Sequence, residues 1–158
     1  MKDLPLIRQQ TLYSAYAEGW ALYAEQLTAE IGMYKDDPFG DLGRLEAEMF
    51  RAARLVVDTG LHAENWTREQ AITYMVNTTG MNESEVISEV ERYMGLPGQA
   101  CAYKVGQLKI LELRQRAKSA LGEKFNLKDF HAVVLENGGV PLTLLDKLVN
   151  DWIAQTNG

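Results

Sequence analysis

Residues 13–27 limit the possible fold more than any other stretch of the chain. They are almost all aromatic, small or aliphatic, a pattern typical of a helix that is buried on nearly every side. Two carboxylates interrupt the pattern, Glu18 and Glu25. Because two turns of helix separate them, they lie on nearly the same side. A carboxylate in apolar surroundings requires a partner, so the stretch predicts a helix with an acidic group at or near a core.

The residues alone leave two interpretations of these carboxylates open. In the first, Glu25 faces water and Glu18 forms an ion pair with an arginine of another helix, as structural carboxylates commonly do. In the second, Glu18 is neutralised by a metal ion or another cation.

The rest of the chain shows helical periodicity and no alternation typical of strands. The sequence therefore predicts an all-α protein, a multi-helix bundle of about seven helices that forms a single domain or subdomain over residues 1–158. Thr67 and Gln70 predict a capping box. The predicted helices cover about 9–31, from about 41 to a stop or kink at Gly60, from the capping box at 67–70 to near Gly80, from 82–85 up to Gly95, from 96 to about 121, 127–135 and from 141 onward.

Two rows of polar residues follow helical spacing. Arg51, Arg54, Asp58 and His62 recur at steps of three and four, so they form either an exposed row of ion pairs or one wall of a cleft. The apolar neighbours of Arg54 and Asp58 indicate that these two are partly buried.

A second row joins Gln99, Tyr103 and Gly106 on one face of the predicted helix 96–121. A helical glycine is unfavourable by about 1 kcal/mol relative to alanine. Something should therefore approach the backbone closely at Gly106, either a packed helix or a substrate. Lys104 points elsewhere and is predicted to form an ion pair.

Charge and hydropathy exclude some classes of function. The net charge of −6 argues against nucleic acid as a partner, and no apolar run reaches the length of about 18–20 residues that spans a bilayer. The first residues do not predict a signal peptide, and the compartment stays open, because a longer parent protein could still be exported. The single cysteine, Cys101, is predicted to be an inert, buried thiol.

Several motifs together resemble the domain-of-unknown-function 885 family, a large bacterial family of proposed zinc metallopeptidases. The resemblance covers nearly the whole chain and rests on these segments, in this order: residues 18–25 (EGWALYAE), 51–62 (RAARLVVDTGLH), 92–106 (RYMGLPGQACAYKVG), 130–131 (FH) and 139–142 (GVPL).

The resemblance implies a gluzincin-like site within a larger, mostly helical metallopeptidase-like fold. In that site one helix supplies two zinc ligands and the catalytic glutamate, and a later helix supplies the third ligand, a position that Glu18 matches. Tyr103 is then the donor to the oxyanion and His62 a further residue at the substrate. The resemblance also implies substrate contacts for Arg54, Arg92 and Gln99.

The chain departs from this pattern because it has only two histidines, His62 and His131, and neither is followed by glutamate. A catalytic zinc site needs closely spaced imidazoles together with a carboxylate. We therefore expect this chain to be the carboxy-terminal part of a longer protein that binds zinc and a peptide substrate, and to be inactive alone. The absent upstream segment should leave an apolar face of the first helix exposed, or covered in a homodimer.

Two other functions remain open from the residues. The chain could be a non-catalytic helical scaffold or interaction module, with the motif residues engaged in packing alone. Less specifically, Tyr16, Trp20 and Tyr23 could line a pocket for a small molecule. His131 is predicted to be a hydrogen-bonded packing residue rather than a metal ligand.

Overall fold

The structure, a computed structural model, describes Leu4, Leu6, Arg8 and residues 13–158. Within this part of the chain there are seven α-helices, a short 3-10 helix at Gly122–Lys124 and no strand, which confirms the predicted all-α bundle. The helices are α1 (Ser14–Glu30), α2 (Pro38–Ala63), α3 (Arg68–Thr79), α4 (Glu83–Gly95), α5 (Ala102–Leu121), α6 (Leu127–Glu136) and α7 (Leu142–Asn157).

The chain divides into two compact units. The central unit comprises residues 24–104, and the terminal unit comprises residues 1–23 together with 105–158. That residues 1–158 form a single domain stays a prediction.

In the central unit, α2 packs against α3 and α4, and these two helices also pack against each other. Their shared core includes side chains that are fully buried, among them Val57, Met75, Val86, Val90 and Tyr93.

The predicted capping box opens α3. Thr67 accepts from the backbone N–H of Gln70, and the Gln70 side chain accepts from the backbone N–H of Thr67. At the other end, Gly80 closes the helix in the left-handed conformation, as its sequence position predicted.

In the terminal unit, α6 packs against α7, and Phe130 is fully buried near the rings of Phe125 and Trp152. The backbones of α1 and α5 approach each other closely at Gly19 and Gly106. A Cβ atom on Gly106 would overlap the carbonyl oxygen of Ala15 and lie 2.7 Å from Gly19 Cα. This confirms the predicted close approach and identifies the neighbour as a packed helix.

The three aromatic residues of α1 that could have lined a pocket are packed instead. Tyr16 donates a 2.6 Å hydrogen bond to the carbonyl oxygen of Val134. Tyr23 and His131 form a 2.8 Å hydrogen bond between the hydroxyl and Nε2, and Trp20 lies edge-on to the same imidazole. His131 is therefore a hydrogen-bonded packing residue, as predicted.

Three helix boundaries differ from the predicted ones, and a fourth cannot be compared. The helix α5 begins at Ala102 rather than near Leu96, because Gly98 adopts φ +79°, a left-handed conformation that a helix cannot contain. Gly60 does not end α2, which continues to Ala63, and the alternative of a kink at Gly60 stays a prediction. The second helix begins at Pro38, with Asp37 as its cap, rather than near residue 41. The predicted start of α1 near residue 9 lies outside the described residues.

The exposed apolar surface differs from the expected one. Where the chain is described, α1 does not carry a row of large exposed apolar side chains. Such a row lies on α2 instead, where it includes Phe39, Leu42, Leu45, Met49 and Val56. The buried side of α2 carries Ala53, Arg54, Val57 and Asp58.

No helix among the described residues is both long and apolar enough to cross a bilayer.

Candidate functional site

Arg54 is the centre of a polar network in the central unit. Its side chain projects from the buried side of α2 and the residue is only 7% exposed. Its Nε donates to the hydroxyl of Tyr93 and its Nη2 to the carboxylate of Glu89, both at 2.8 Å. The guanidinium lies over two aromatic rings, 4.3 Å from the centroid of Phe50 and 4.8 Å from that of Tyr103. These contacts hold a nearly buried charge in one orientation.

Glu89 is shared by two arginines. Besides Arg54, Arg92 donates to it through Nη2 at 2.9 Å and Nε at 3.3 Å, and Tyr93 donates its hydroxyl at 2.7 Å. Burial raises the pKa of Glu89, but hydrogen bonds from Arg92 and Tyr93 and the charge of Arg54 outweigh burial and lower the pKa to about 2. At neutral pH, two guanidinium charges therefore share one carboxylate, which leaves one positive charge in excess.

Tyr93 stays protonated in this network. Burial first, and then the hydrogen bond to Glu89, raise the pKa of its hydroxyl above the ordinary value. The phenol therefore acts as a neutral bridge that accepts from Arg54 and donates to Glu89.

A cavity of about 560 Å³ opens beside this network within the central unit. Its lining includes Glu46, Phe50, Arg51, Arg54, Met81 and Tyr103. Arg54 Nη1 makes no hydrogen bond to any described residue. No sealed side-chain nitrogen or oxygen in the described part of the chain lacks a partner, so solvent reaches Nη1, and Arg54 is one of the residues that line the cavity. The Tyr103 hydroxyl also makes no hydrogen bond within the described chain, and it too lines the cavity.

The other predicted contact residues lie in the same network but not in the lining of this cavity. Arg92 Nη1 donates to the side-chain oxygen of Gln99 at 2.7 Å. His62 is exposed, and its Nε2 lies 3.0 Å from the backbone carbonyl oxygen of Tyr93. Since a carbonyl only accepts, Nε2 must carry the proton. The structure thus joins Arg54 to Arg92 through Glu89, joins Gln99 to Arg92, and places Arg54 with Tyr103 at the cavity.

Asp58, one turn beyond Arg54 on α2, fixes the segment that precedes Tyr103. It is 3% exposed, and both its carboxylate oxygens accept from the backbone N–H of Gly98, at 3.0 and 3.2 Å. The thiol of Cys101 lies near the same carboxylate. Burial and then Asp58 raise the pKa of this thiol to about 11. Cys101 is half-buried in a turn rather than buried on a helix, but the raised pKa agrees with the predicted inert thiol.

Glu89 is the site residue that the sequence analysis missed. Its positions three residues before Arg92 and four before Tyr93 are the spacings at which helical side chains meet, so a signal was present. Lys104 forms the predicted ion pair, with Glu48 at 2.7 Å.

The two glutamates of α1 differ from the first interpretation of the sequence. Glu25, in the central unit, is the one that pairs with an arginine, Arg51, at 3.1 Å. Glu18, in the terminal unit, is partly exposed, and its carboxylate makes neither a hydrogen bond nor an ion pair with any described residue. Among the residues that the structure describes, no three His, Cys, Asp or Glu side chains are grouped so that they could hold a metal ion. Glu18 alone does not constitute a zinc site.

Comparisons with known proteins give one family and two similar solved structures. The sequence profile described as "Bacterial protein of unknown function (DUF885)" matches residues 1–149. A candidate lipoprotein from Colwellia psychrerythraea, whose crystal structure is solved, is 60% identical with a TM-score of 0.95; the match covers 98% of this chain and 26% of that one. A candidate lipoprotein of unknown function from Shewanella oneidensis is 26% identical with a TM-score of 0.88, and the match covers 94% and 27% of the two chains.

No functionally curated protein matches the chain. The chain spans about a quarter of the length of the two solved proteins.

Proposed function

Since the chain belongs to the bacterial family of unknown function DUF885, we propose that it is the carboxy-terminal part of a zinc-dependent peptidase and contributes substrate contacts and one metal ligand. The motifs quoted above resemble those of a metallopeptidase, and this resemblance motivates the proposal. The observation that carries it is the cavity of the central unit, where Arg54 and Tyr103 both present unbonded donors. Polar groups that converge in a concave site can orient a bound substrate.

The chain's own residues would bind and polarise the peptide. The Tyr103 hydroxyl would donate to the carbonyl oxygen of the bond to be cleaved, where negative charge develops during attack by water. Arg54 would bind the substrate through Nη1. Arg92, Gln99 and the exposed ring of His62 would contact parts of the peptide that extend beyond the cavity.

Zinc would belong to the longer protein. The described residues do not fit a complete zinc site, because Glu18 is a single carboxylate and no group of three candidate ligands exists among them. In this proposal Glu18 is one ligand, and the imidazole ligands come from a segment upstream of the chain. The 158-residue chain should therefore neither retain zinc tightly nor hydrolyse peptides by itself.

The full-length Colwellia psychrerythraea relative provides the test. We expect the purified protein to contain stoichiometric zinc and to hydrolyse short peptides. Glutamine at the position that superposes on Glu18 should lower the zinc content. Phenylalanine at the position that superposes on Tyr103 should lower kcat, and the zinc should be retained. A residue unable to bind metal at the Glu18 position, or full activity after complete removal of zinc, would contradict the proposal.

A second candidate function is a non-catalytic scaffold or interaction module. One observation favours it: His62, Arg92 and Gln99 all form hydrogen bonds within the chain. The bond between Arg92 and Gln99 ties the end of α4 to the segment before α5, and the bond of His62 to the Tyr93 carbonyl ties α2 to α4. If the chain is a scaffold, the full-length relative should lack peptidase activity, and substitution of His62 should reduce only the stability of the fold. The partners would then include other segments of the same protein or a second copy at the apolar row of α2.

A further inference from the structure

The structure assigns a ligand chemistry to the cavity of the central unit: we propose that it binds the terminal carboxylate of a peptide. Its relevance to catalysis rests on the proposed function, since a peptidase with such a subsite would cleave near the carboxyl end of its substrate. The binding itself does not depend on a metal or on activity.

The charges around the cavity favour a group with one negative charge. Arg51 is balanced by Glu25, whereas Arg54 and Arg92 share only Glu89. One positive charge therefore remains unbalanced on this pair of arginines, of which Arg54 lines the cavity. The remaining acidic residue of the lining is Glu46, which is exposed, so solvent screens its charge.

The unbonded donors match a carboxylate in geometry. Arg54 Nη1 has two N–H groups, and the side chain that carries it is more than nine-tenths buried and fixed by Tyr93, Glu89 and two rings. A guanidinium held in this way binds a planar carboxylate without further loss of side-chain freedom. The Tyr103 hydroxyl, whose ring lies over the same guanidinium, can donate to the second carboxylate oxygen or to the preceding carbonyl.

The remainder of the lining suits the last side chain of a peptide. Ala47, Phe50 and Met81 provide apolar surface beside the donors, and the volume of about 560 Å³ falls within the range of sites that hold small ligands. We therefore infer a peptide whose final residue is apolar and whose terminal carboxylate is free.

The test is a binding titration of the 158-residue chain, followed by NMR. The probes are an N-acetylated alanyl-leucine peptide with a free carboxylate and the same peptide as its carboxamide. We expect the free acid to bind saturably and to shift the signals of Arg54 and Tyr103, with affinity about tenfold or more above that of the amide. Equal affinities for acid and amide, or no saturable binding of the acid, would overturn the inference.

Variants separate binding at this cavity from general charge effects. Tyr103→Phe keeps the ring over Arg54 and removes one donor. It should therefore weaken binding of the free-acid peptide several-fold and leave the fold intact. Arg54→Lys should abolish the preference for acid over amide. Because this second change could unfold the chain, Tyr103→Phe remains decisive. Arg68→Gln is the matched control, since Arg68 lies outside the cavity and pairs with Glu91, and it should leave binding unchanged.

Further probes distinguish the sources of a carboxylate and competing anions. A carboxamide peptide with a glutamate side chain, and acetate, should bind clearly more weakly than the free acid. Inorganic phosphate should not compete at equal concentration. If the glutamate peptide or phosphate bound as tightly as the free acid, recognition of a peptide terminus would be refuted. Binding that persists although the full-length relative proves to be no peptidase would refute the proposed function and leave this inference standing.

Discussion

The carboxylate of Glu89 accepts hydrogen bonds from two guanidinium groups and one phenol, although its side chain is partly buried. It is the only acidic group bonded to the nearly buried Arg54 within the described chain. A buried charge that loses its counter-charge is strongly unfavourable, so the stability of the central unit should depend on this one residue.

Glu89→Gln preserves the size of the side chain and removes the charge. We expect the free energy of unfolding to fall by about 2–3 kcal/mol, because Arg54 would keep its charge in a largely buried position. Urea denaturation at neutral pH measures this change. The control is Glu91→Gln, whose exposed pair with Arg68 is screened by solvent and should contribute clearly less than the Glu89 network. Similar effects of the two substitutions would show that the network does not stabilise the fold.

Cys101 should react slowly with alkylating reagents. Only the thiolate is nucleophilic, and its population at a mildly alkaline pH falls when burial and Asp58 raise the pKa to about 11. We expect alkylation by iodoacetamide to be slower than that of the urea-unfolded chain by a factor on the order of 10 to 100. Mass spectrometry over time measures both rates. A native rate equal to the unfolded one would contradict the described environment of the thiol.

At the scale of helices, the closest approach in the terminal unit depends on two glycines. Gly19 and Gly106 bring the backbones of α1 and α5 together, and a Cβ atom on either residue would meet backbone rather than a movable side chain. Backbone cannot rotate away, so any side chain here must push the helices apart.

Gly106→Ala should therefore destabilise the protein by about 3 kcal/mol or more, despite the higher helix propensity of alanine. Gly43→Ala is the matched control, because Gly43 lies inside α2 and a Cβ atom there meets nothing within 4 Å. Gly43→Ala should stabilise the protein by about 0.5–1 kcal/mol. Thermal and urea unfolding measure both changes. Effects of the same sign at the two glycines would be inconsistent with the packing at Gly106.

Helix starts offer a second contrast at this scale. Thr67 caps α3 through a reciprocal capping box, whereas the side chain of Asn82 makes no capping hydrogen bond at the start of α4. Thr67→Ala should lower the free energy of unfolding by about 1 kcal/mol, and Asn82→Ala should lower it clearly less. Chemical denaturation of the two variants gives the comparison. An equal or larger loss for Asn82→Ala would show that the caps act differently in solution.

At the scale of the whole molecule, acid should unfold the protein over a defined range of pH. Ordinary carboxyl pKa values of 4.5 for Glu89 and 3.8 for Asp146 fall to about 2 in the fold. For Asp146 the cause is hydrogen bonding to Arg116 and Lys109. A carboxyl whose pKa is lowered by folding stabilises the native state above its unfolded pKa, and this contribution is lost as pH falls through the folded pKa.

The urea midpoint should accordingly decrease between about pH 4.5 and pH 2. In Glu89→Gln the midpoint should start lower at neutral pH and fall less steeply in acid, because one of the two carboxyls no longer titrates. Urea titrations at a series of pH values give the midpoints. A wild-type midpoint that stays constant down to about pH 2 would contradict the lowered pKa values.

Part of the candidate site was predictable, because some of its residues follow helical spacing and others belong to the motifs that resemble the family. The steps of three and four that join Arg54, Asp58 and His62 indicated one side of a helix, and apolar neighbours indicated partial burial of the first two. The resemblance directed attention to Tyr103, which lines the cavity. The bond between Glu89 and Arg54 was not predictable, because the two residues lie 35 positions apart in the chain and no helical spacing relates them.

The sequence by itself determined the helical class, the caps at Thr67 and Gly80 and the need for a neighbour at Gly106. The helices and their caps depend on hydrogen bonds between residues three or four apart, which are a local property of each segment. The prediction at Gly106 depends only on the absence of a side chain, which is a property of that residue. Only the tertiary structure decided which side of α2 is buried, that Glu25 and not Glu18 pairs with Arg51, and that residues 96–101 form a turn. The N–H of Gly98 binds Asp58, 40 residues earlier, so its conformation follows from packing and not from local propensity.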